Sequence, residues 1–406
     1  MIGLSRQAGN FAMPVRTLVL ASTCAVFGLP LLAGCTDNAS TDSPGATASA
    51  NPRALTVQAT DSDCKLSATS APSGTLTFAV TNGGQKVTEF YLYGEDGKRI
   101  IGEVENIGPG ITRELVLKVE PGSYITACKP GMAGDGLRAP FSVTDSGEAQ
   151  QGSAGSNAEL VEQANENYRE YVEDQTKDLV SMTAKFVAAY KAGKDDEARA
   201  LYPVARMHWE RIETVAESFG DLDPKLDLRE ADLEPDQKWT GWHRLEKDLW
   251  PARAKNYEPL TKAERVAYSD DLVKNTAILH NRVPKLDFSA DEIANGSRGL
   301  LDEVATGKVT GEEEYWSRTD LWDFQANIDG ALVAFEGLRP LLQDRDPALE
   351  SHIAAKFATV QALLNAQREG DGFKTYDKLS KAEVKELSDA VNALSEPLSK
   401  LAAAVV

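Results

Sequence analysis

Histidine is scarce in this chain, with four in 406 residues and none between residues 47 and 145. A blue-copper centre needs two imidazoles beside its thiolate, so composition alone excludes one from that stretch. Two hydrolytic signatures are missing as well. No His-Glu-x-x-His offers a zincin pair, and no Gly-x-Ser-x-Gly offers a nucleophile elbow. Positive charge is in deficit: 43 Lys and Arg face 62 Asp and Glu, a formal net charge of −19. That balance argues against nucleic acid and anionic membrane surfaces as partners and permits cation binding. The deficit is uneven, with 9 basic against 11 acidic residues over 47–145 but 32 against 49 over 146–406. Solubility of helical surfaces accounts for most of those acids.

Cysteine is also sparse, and its four positions have different fates. Arg6 and Arg16 precede the apolar run "TLVLASTCAVFGLPLLAGC", whose end, Leu31-Leu-Ala-Gly-Cys35, resembles the lipobox of bacterial lipoproteins. The expectation is a signal peptide over 1–34, lipid on Cys35, and a flexible Ser/Thr/Ala-rich tether over 35–53. A transmembrane anchor is the alternative. Either way the folded part lies outside the cytoplasm, held at a membrane. Cys24 leaves with the signal, so the mature domains keep Cys64 and Cys128. In an oxidising compartment these either pair as a disulfide or hold a metal as thiolates.

Two hydropathy periods divide the rest. Over 54–145, "LTVQAT", "GTLTFAVTN", "EFYLYGED", "ITRELVLKV" and "GSYITACKPG" alternate apolar with polar residues between Gly-, Asn- and Pro-rich turns. They predict a small antiparallel β-sandwich. A linker follows over 146–157. From 158 to 406 the period is helical. A long helix ends at Gly193, a second runs from Asp196 to Gly220, and Thr261-x-x-Glu264, Ser289-x-x-Glu292 and Ser380-x-x-Glu383 are capping boxes. About eight helices predict an all-α bundle, arranged as two packed four-helix units.

Chemistry-bearing residues cluster in two helical segments. In "ARMHWERIETVAESF", His208 falls on the apolar stripe with Ile212 and Val215, while Glu210, Glu213 and Glu217 share a neighbouring helical face. In "GWHRLEKDLW", His243 and Glu246 stand three apart and therefore project the same way. Imidazole with carboxylates suits iron, manganese or zinc. A hydrogen-bonded or surface pair is the plainer explanation of one His-x-x-Glu. Asp320 is a weaker candidate, equally explained as a helix cap, and His280 and His352 read as surface or packing residues. In the β-region the available donors are Cys64, Cys128, Met132, Glu89, Glu103 and Glu105.

The motif Gly241-Trp-His243-Arg-Leu-Glu246 resembles the Gly-x-His-x-x-Glu signature of the imelysin family. The runs "HWERIETVAESFGDLD", "TGWHRLEKDLWP", "TDLWDFQANIDGA" and "FKTYDKL" resemble the EfeO-type members of that family. The resemblance implies a cupredoxin-like β-sandwich followed by an imelysin-like helical domain. It implies an extracytoplasmic component of ferrous or ferric iron uptake, working beside a membrane iron permease and a haem-containing peroxidase. It also implies Cys64, Cys128 and Glu89 as ligands of a second site for copper, zinc or iron. The metal set expected in the helical domain is His243 and Glu246 with His208, Glu210 and Glu213. No covalent catalysis is implied. The rival readings are an imelysin-type metallohydrolase and a structural surface lipoprotein.

Overall fold

The computed structural model describes residues 51–97, 100–132, 134–147, 156–234 and 237–405. The expected signal peptide, Cys35 and most of the tether lie outside the described residues, as does most of the expected linker. No described helix is long and apolar enough to cross a membrane.

Nine strands form the first layer pair. One sheet has the order β2-β1-β4-β7, built from β1 (Ala54–Ala59), β2 (Cys64–Leu66), β4 (Gly74–Asn82) and β7 (Thr112–Val119). The other has the order β3-β9-β8-β5-β6, from β3 (Ser70–Pro72), β5 (Thr88–Tyr93), β6 (Ile100–Ile107), β8 (Gly122–Cys128) and β9 (Leu137–Thr144). Alternation along β1 and β4 sends Leu55, Val57, Leu76, Phe78 and Val80 into the shared core, where they meet Phe90, Phe141 and Val143 from the facing sheet. The sandwich is mixed rather than antiparallel throughout, because β1 runs parallel to β4 and β3 parallel to β9. Cys64 and Cys128 are joined by a disulfide with Cα atoms 5.6 Å apart, which ties the two sheets together.

The helical layer comprises α1 (Ser156–Lys191), α2 (Asp195–Glu210), α3 (Asp223–Leu226), α4 (Trp242–Leu249), α5 (Lys262–Arg282), α6 (Ala290–Thr306), α7 (Asp320–Arg345), α8 (Pro347–Ala366), α9 (Lys381–Leu398) and α10 (Leu401–Val405). All three capping boxes form, at Thr261/Glu264, Ser289/Glu292 and Ser380/Glu383. Each satisfies backbone donors that a helix start leaves open, a contribution of about 1 kcal/mol. Helix α7 packs against α1, α2, α6 and α8.

The second helix is shorter than its periodicity predicts. It ends at Glu210, and a 3-10 segment (Glu213–Leu222) follows with non-helical angles at Val215 and Gly220. The cause is tertiary. Asn327 on α7 donates to the Glu210 carbonyl at 3.0 Å, and Gly330 and Gly296 let α7 and α6 press against the Arg211 and Thr214 carbonyls. A side chain at either glycine would collide with that backbone.

The two layers meet along α6, which covers the edge strands β7 and β6. Arg113 pairs with Asp302 at 2.5 Å, the Lys118 N–H donates to Asp291 at 2.8 Å, and Asn295 donates to the Val116 carbonyl at 2.8 Å. Beside this seam lies a cavity of about 820 Å³, lined from both layers.

Candidate metal centre

Helix α4 is amphipathic in an unusual sense: its buried face carries His243, Glu246 and Asp248 along with Trp242 and Leu245. Gly241 makes this placement possible. Its φ of +89° is a conformation side chains rarely adopt, and a Cβ there would drive into the Leu226 carbonyl. The close approach brings α4 against the end of α3, where Asp227 sits.

His243 is 1% exposed and stands between two sets of carboxylates. On one side, its Nε2 lies 3.3 Å from Asp227 Oδ1 and 3.4 Å from Glu313 Oε1. On the other, its Nδ1 lies 3.2 Å from Glu246 Oε2, with Glu314 close enough to complete a three-ligand group. A third group joins Glu210, Glu213 and Asp227, so Asp227 belongs to two of them.

Two cations are threaded through the same space. Arg206 on α2, fully buried, pairs with Asp227 and Glu210, approaches Glu314 at 2.7 Å and Glu313 at 3.3 Å, and lies 3.6 Å from Asp323. Lys308 binds Glu210 at 2.9 Å and Glu213 at 2.5 Å. Neutral donors fill in: Trp209 Nε1 donates to Asp227 at 2.7 Å, Tyr202 to Glu314 at 3.1 Å, and Asn327 to Glu213 at 2.8 Å. Carboxylates outnumber the cations. Seven carboxylates (Glu210, Glu213, Asp227, Glu246, Glu313, Glu314 and Asp323) surround Arg206, Lys308 and one imidazole. Both Asp323 oxygens are buried without a hydrogen-bond donor.

Electrostatics divides these groups. Burial and Arg206 push the His243 imidazole down, yet its contacts with Asp227, Glu246 and Glu313 prevail and hold it well above the ordinary range. Burial would raise Asp227, but Arg206 and His243 keep it well below the usual carboxylate value. Against its own burial, Lys308 and His243 bring Glu313 down to about 2. Burial and carboxylate neighbours drive Glu213, Glu314 and Asp323 the other way, well above it. Crowded carboxylates of this kind accept either protons or a multivalent cation.

The cavity at the seam reaches this cluster. Glu213, Asp227 and Glu313 line it, together with Glu103 and Glu105 of β6, Glu217, Asp223 and Glu303. Burial and the neighbouring carboxylates Glu103, Glu89 and Glu303 push Glu105 up to about 9. Burial, Asp227 and Glu303 push Asp223 up to about 7.

Of the residues singled out by spacing, His243, Glu246, Glu210 and Glu213 come together here. His208 does not. It is half-buried against α1, with Nδ1 3.0 Å from Gln175 Oε1, because it stands two residues before Glu210 on the same helix and so cannot share the face that Glu210 turns to the cluster. Glu217, past the break, faces Glu103 across the cavity. His280 bonds Thr176 at 3.0 Å, and His352 is exposed. Asp320 opens α7 and accepts from the Glu314 N–H at 3.1 Å. The expected site of Cys64, Cys128 and Glu89 is not assembled. The cysteines are bonded to each other, and Cys128 faces the sandwich core opposite Phe90. Glu89 instead shares the Tyr91 face and accepts from its hydroxyl at 2.9 Å. Met132 is exposed.

Arg206, Asp227, Glu313, Glu314, Lys308 and Asp323 had no part in the sequence argument. One signal was available: the run Glu312-Glu313-Glu314 ahead of Tyr315 and Trp316 lies in the turn before α7 and delivers two of its carboxylates inward.

Comparison with known proteins bears on this geometry. The imelysin family (peptidase family M75) matches residues 164–401. The iron uptake system component EfeO of Escherichia coli K12 is 37% identical over 349 residues, covering 85% of this chain and 89% of that protein. Its counterpart in Yersinia pseudotuberculosis is 38% identical over 344 residues, covering 84% and 88%. An Efem/EfeO family lipoprotein of Staphylococcus haemolyticus is 44% identical over 255 residues, or 62% of this chain and 87% of that protein. The chain therefore belongs to the imelysin family, as one of its EfeO-type members.

Proposed function

We propose that this chain is an extracytoplasmic iron-binding component of an iron uptake system, which takes its cargo at the His243 cluster and passes it to a membrane permease. The observation that carries the reading is the buried excess of carboxylates around one imidazole, opening through Glu213, Asp227 and Glu313 onto an acidic cavity. Imidazole and carboxylate donors accept both ferrous and ferric iron, and the acidic walls concentrate cations at the mouth. The relatives' names as iron uptake components point the same way. A lipid on Cys35 holds the protein at the membrane, one relative being named a lipoprotein, and a haem-containing peroxidase is a further partner. The N-terminal sandwich is of cupredoxin type in this reading, with its cysteines serving as a staple. In this reading the protein works as a carrier rather than a peptidase, in line with the relatives' names as iron uptake components.

The test is anaerobic titration of Fe2+ into the purified protein and into His243→Ala and Asp227→Asn. Tight binding lost in both variants is expected. Unchanged binding in both would overturn the site. Casein hydrolysis that disappears in His243→Ala would move the protein to the metallohydrolases.

A further inference from the structure

The signature pair His243 and Glu246 is read above as belonging to one metal site, and the two residues do lie together. Their surroundings differ. Glu246 Oε1 accepts two backbone N–H groups, from Trp316 at 2.8 Å and Ser317 at 2.6 Å. Its Oε2 faces His243 Nδ1 at 3.2 Å. Glu246 is completely buried, and neither it, nor Glu314, nor His243 itself is among the residues lining the cavity. Asp227 and Glu313, on the Nε2 side, do line the cavity. Nε2 itself is a buried nitrogen with no hydrogen bond of good geometry, although two carboxylate oxygens lie within 3.4 Å.

We propose that Glu246 is a positioning residue and not a ligand: it holds the proton on His243 Nδ1 so that Nε2, with Asp227 and Glu313, receives the cation from the cavity. The inference rests on the proposed iron site and assigns its inner geometry. Once a cation takes the place of the Nε2 proton the imidazole is neutral, with one N–H left, and the hydrogen bond at the other nitrogen decides which nitrogen is free to ligate. Glu246 is acceptor-only and is itself fixed by the 316–317 backbone, so it imposes the Nδ1–H tautomer. A metal on the Glu246 side would have to take the Nδ1 lone pair in place of the hydrogen bond to Glu246 Oε2, next to Glu314, which does not line the cavity.

Glu246→Gln inverts the arrangement. Its Oε1 keeps the two backbone N–H groups and its amide N–H2 turns to Nδ1, which must then accept, moving the proton to Nε2. The experiment uses Co2+ as the probe. In the Co2+-loaded wild-type protein, proton NMR is expected to show an exchange-protected, paramagnetically shifted imidazole N–H that is missing in His243→Ala and has no Overhauser effect to the ring Cδ2–H, which neighbours Nε2 and not Nδ1. Glu246→Gln is expected to bind Co2+ about 10- to 100-fold more weakly, while the visible spectrum of the bound ion stays that of wild type because the donor set is unchanged. A wild-type N–H resonance with an Overhauser effect to Cδ2–H, as Nε2–H would give, or a changed Co2+ spectrum in Glu246→Gln, would overturn the proposal and place the metal on Nδ1 with Glu246 and Glu314. The wild-type resonance decides the matter even if the variant folds poorly. Asp227→Asn that binds Co2+ as tightly as wild type would overturn the iron site along with it, whereas loss in Asp227→Asn with a failed resonance test sinks only the present inference.

Discussion

Arg206→Met keeps most of the aliphatic stem that packs in α2 and removes the guanidinium from five carboxylates: Glu210, Asp227, Glu313, Glu314 and Asp323. Breaking one buried pair by deleting one partner costs about 3–5 kcal/mol, because the other charge is left uncompensated. Five partners do not multiply that figure. Glu210 keeps Lys308, Asp227 keeps Trp209, and the remaining carboxylates can take up protons. The expected loss is therefore about 4 kcal/mol, or roughly a 10 °C fall in Tm at about 2–4 °C per kcal/mol. A multivalent cation replaces the missing charge, so saturating Co2+ should raise the Tm of the variant more than that of wild type. Thermal unfolding followed by circular dichroism at pH 7, with and without Co2+, reads both quantities. A metal-free Tm within 2 °C of wild type would refute the view of Arg206 as the internal countercharge. So would equal Co2+ increments in the two proteins.

Three other perturbations separate parts of the argument. Glu105 has its pKa lifted to about 9 in the folded protein, so the folded state holds that proton more firmly than the unfolded chain does, and stability falls as pH rises from about 5 to 9. Glu105→Gln should flatten this loss in denaturant titrations at pH 5 and pH 8.5; parallel curves for the two proteins would count against it. Gly241→Ala forces a side chain into the Leu226 carbonyl at a φ of +89°, and should lower stability by at least about 1–3 kcal/mol while weakening Co2+ binding. A variant as stable as wild type would show that α4 can move without penalty. Cys64→Ser/Cys128→Ser opens a loop spanning 64 residues and should destabilise the sandwich by about 4 kcal/mol while leaving Co2+ binding at His243 intact. Loss of that binding would bring the cysteines back into the metal site.

The sequence by itself determined the order of a β-rich region followed by helices, because periods of two and of 3.6 residues are local properties of who is buried. It determined the three capping boxes, since Thr261, Ser289 and Ser380 find their partners three residues away. It also put His243 and Glu246 on one helical face. What it could not determine is anything set by a neighbour distant in the chain. The helical period through Glu213 and Glu217 is genuine, yet α2 stops at Glu210, because Asn327 takes its carbonyl and two glycines bring other helices onto the next turn. His208 misses the site because it stands two residues before Glu210 on the same helix and faces α1 instead. Asp227, Glu313 and Glu314 enter it from turns whose composition reads as solvated acid, and Arg206, inside a helix, looks like any surface arginine. Only tertiary structure decides that these charges are buried together, because the energy that fixes a buried carboxylate comes from cations and donors brought to it from other elements.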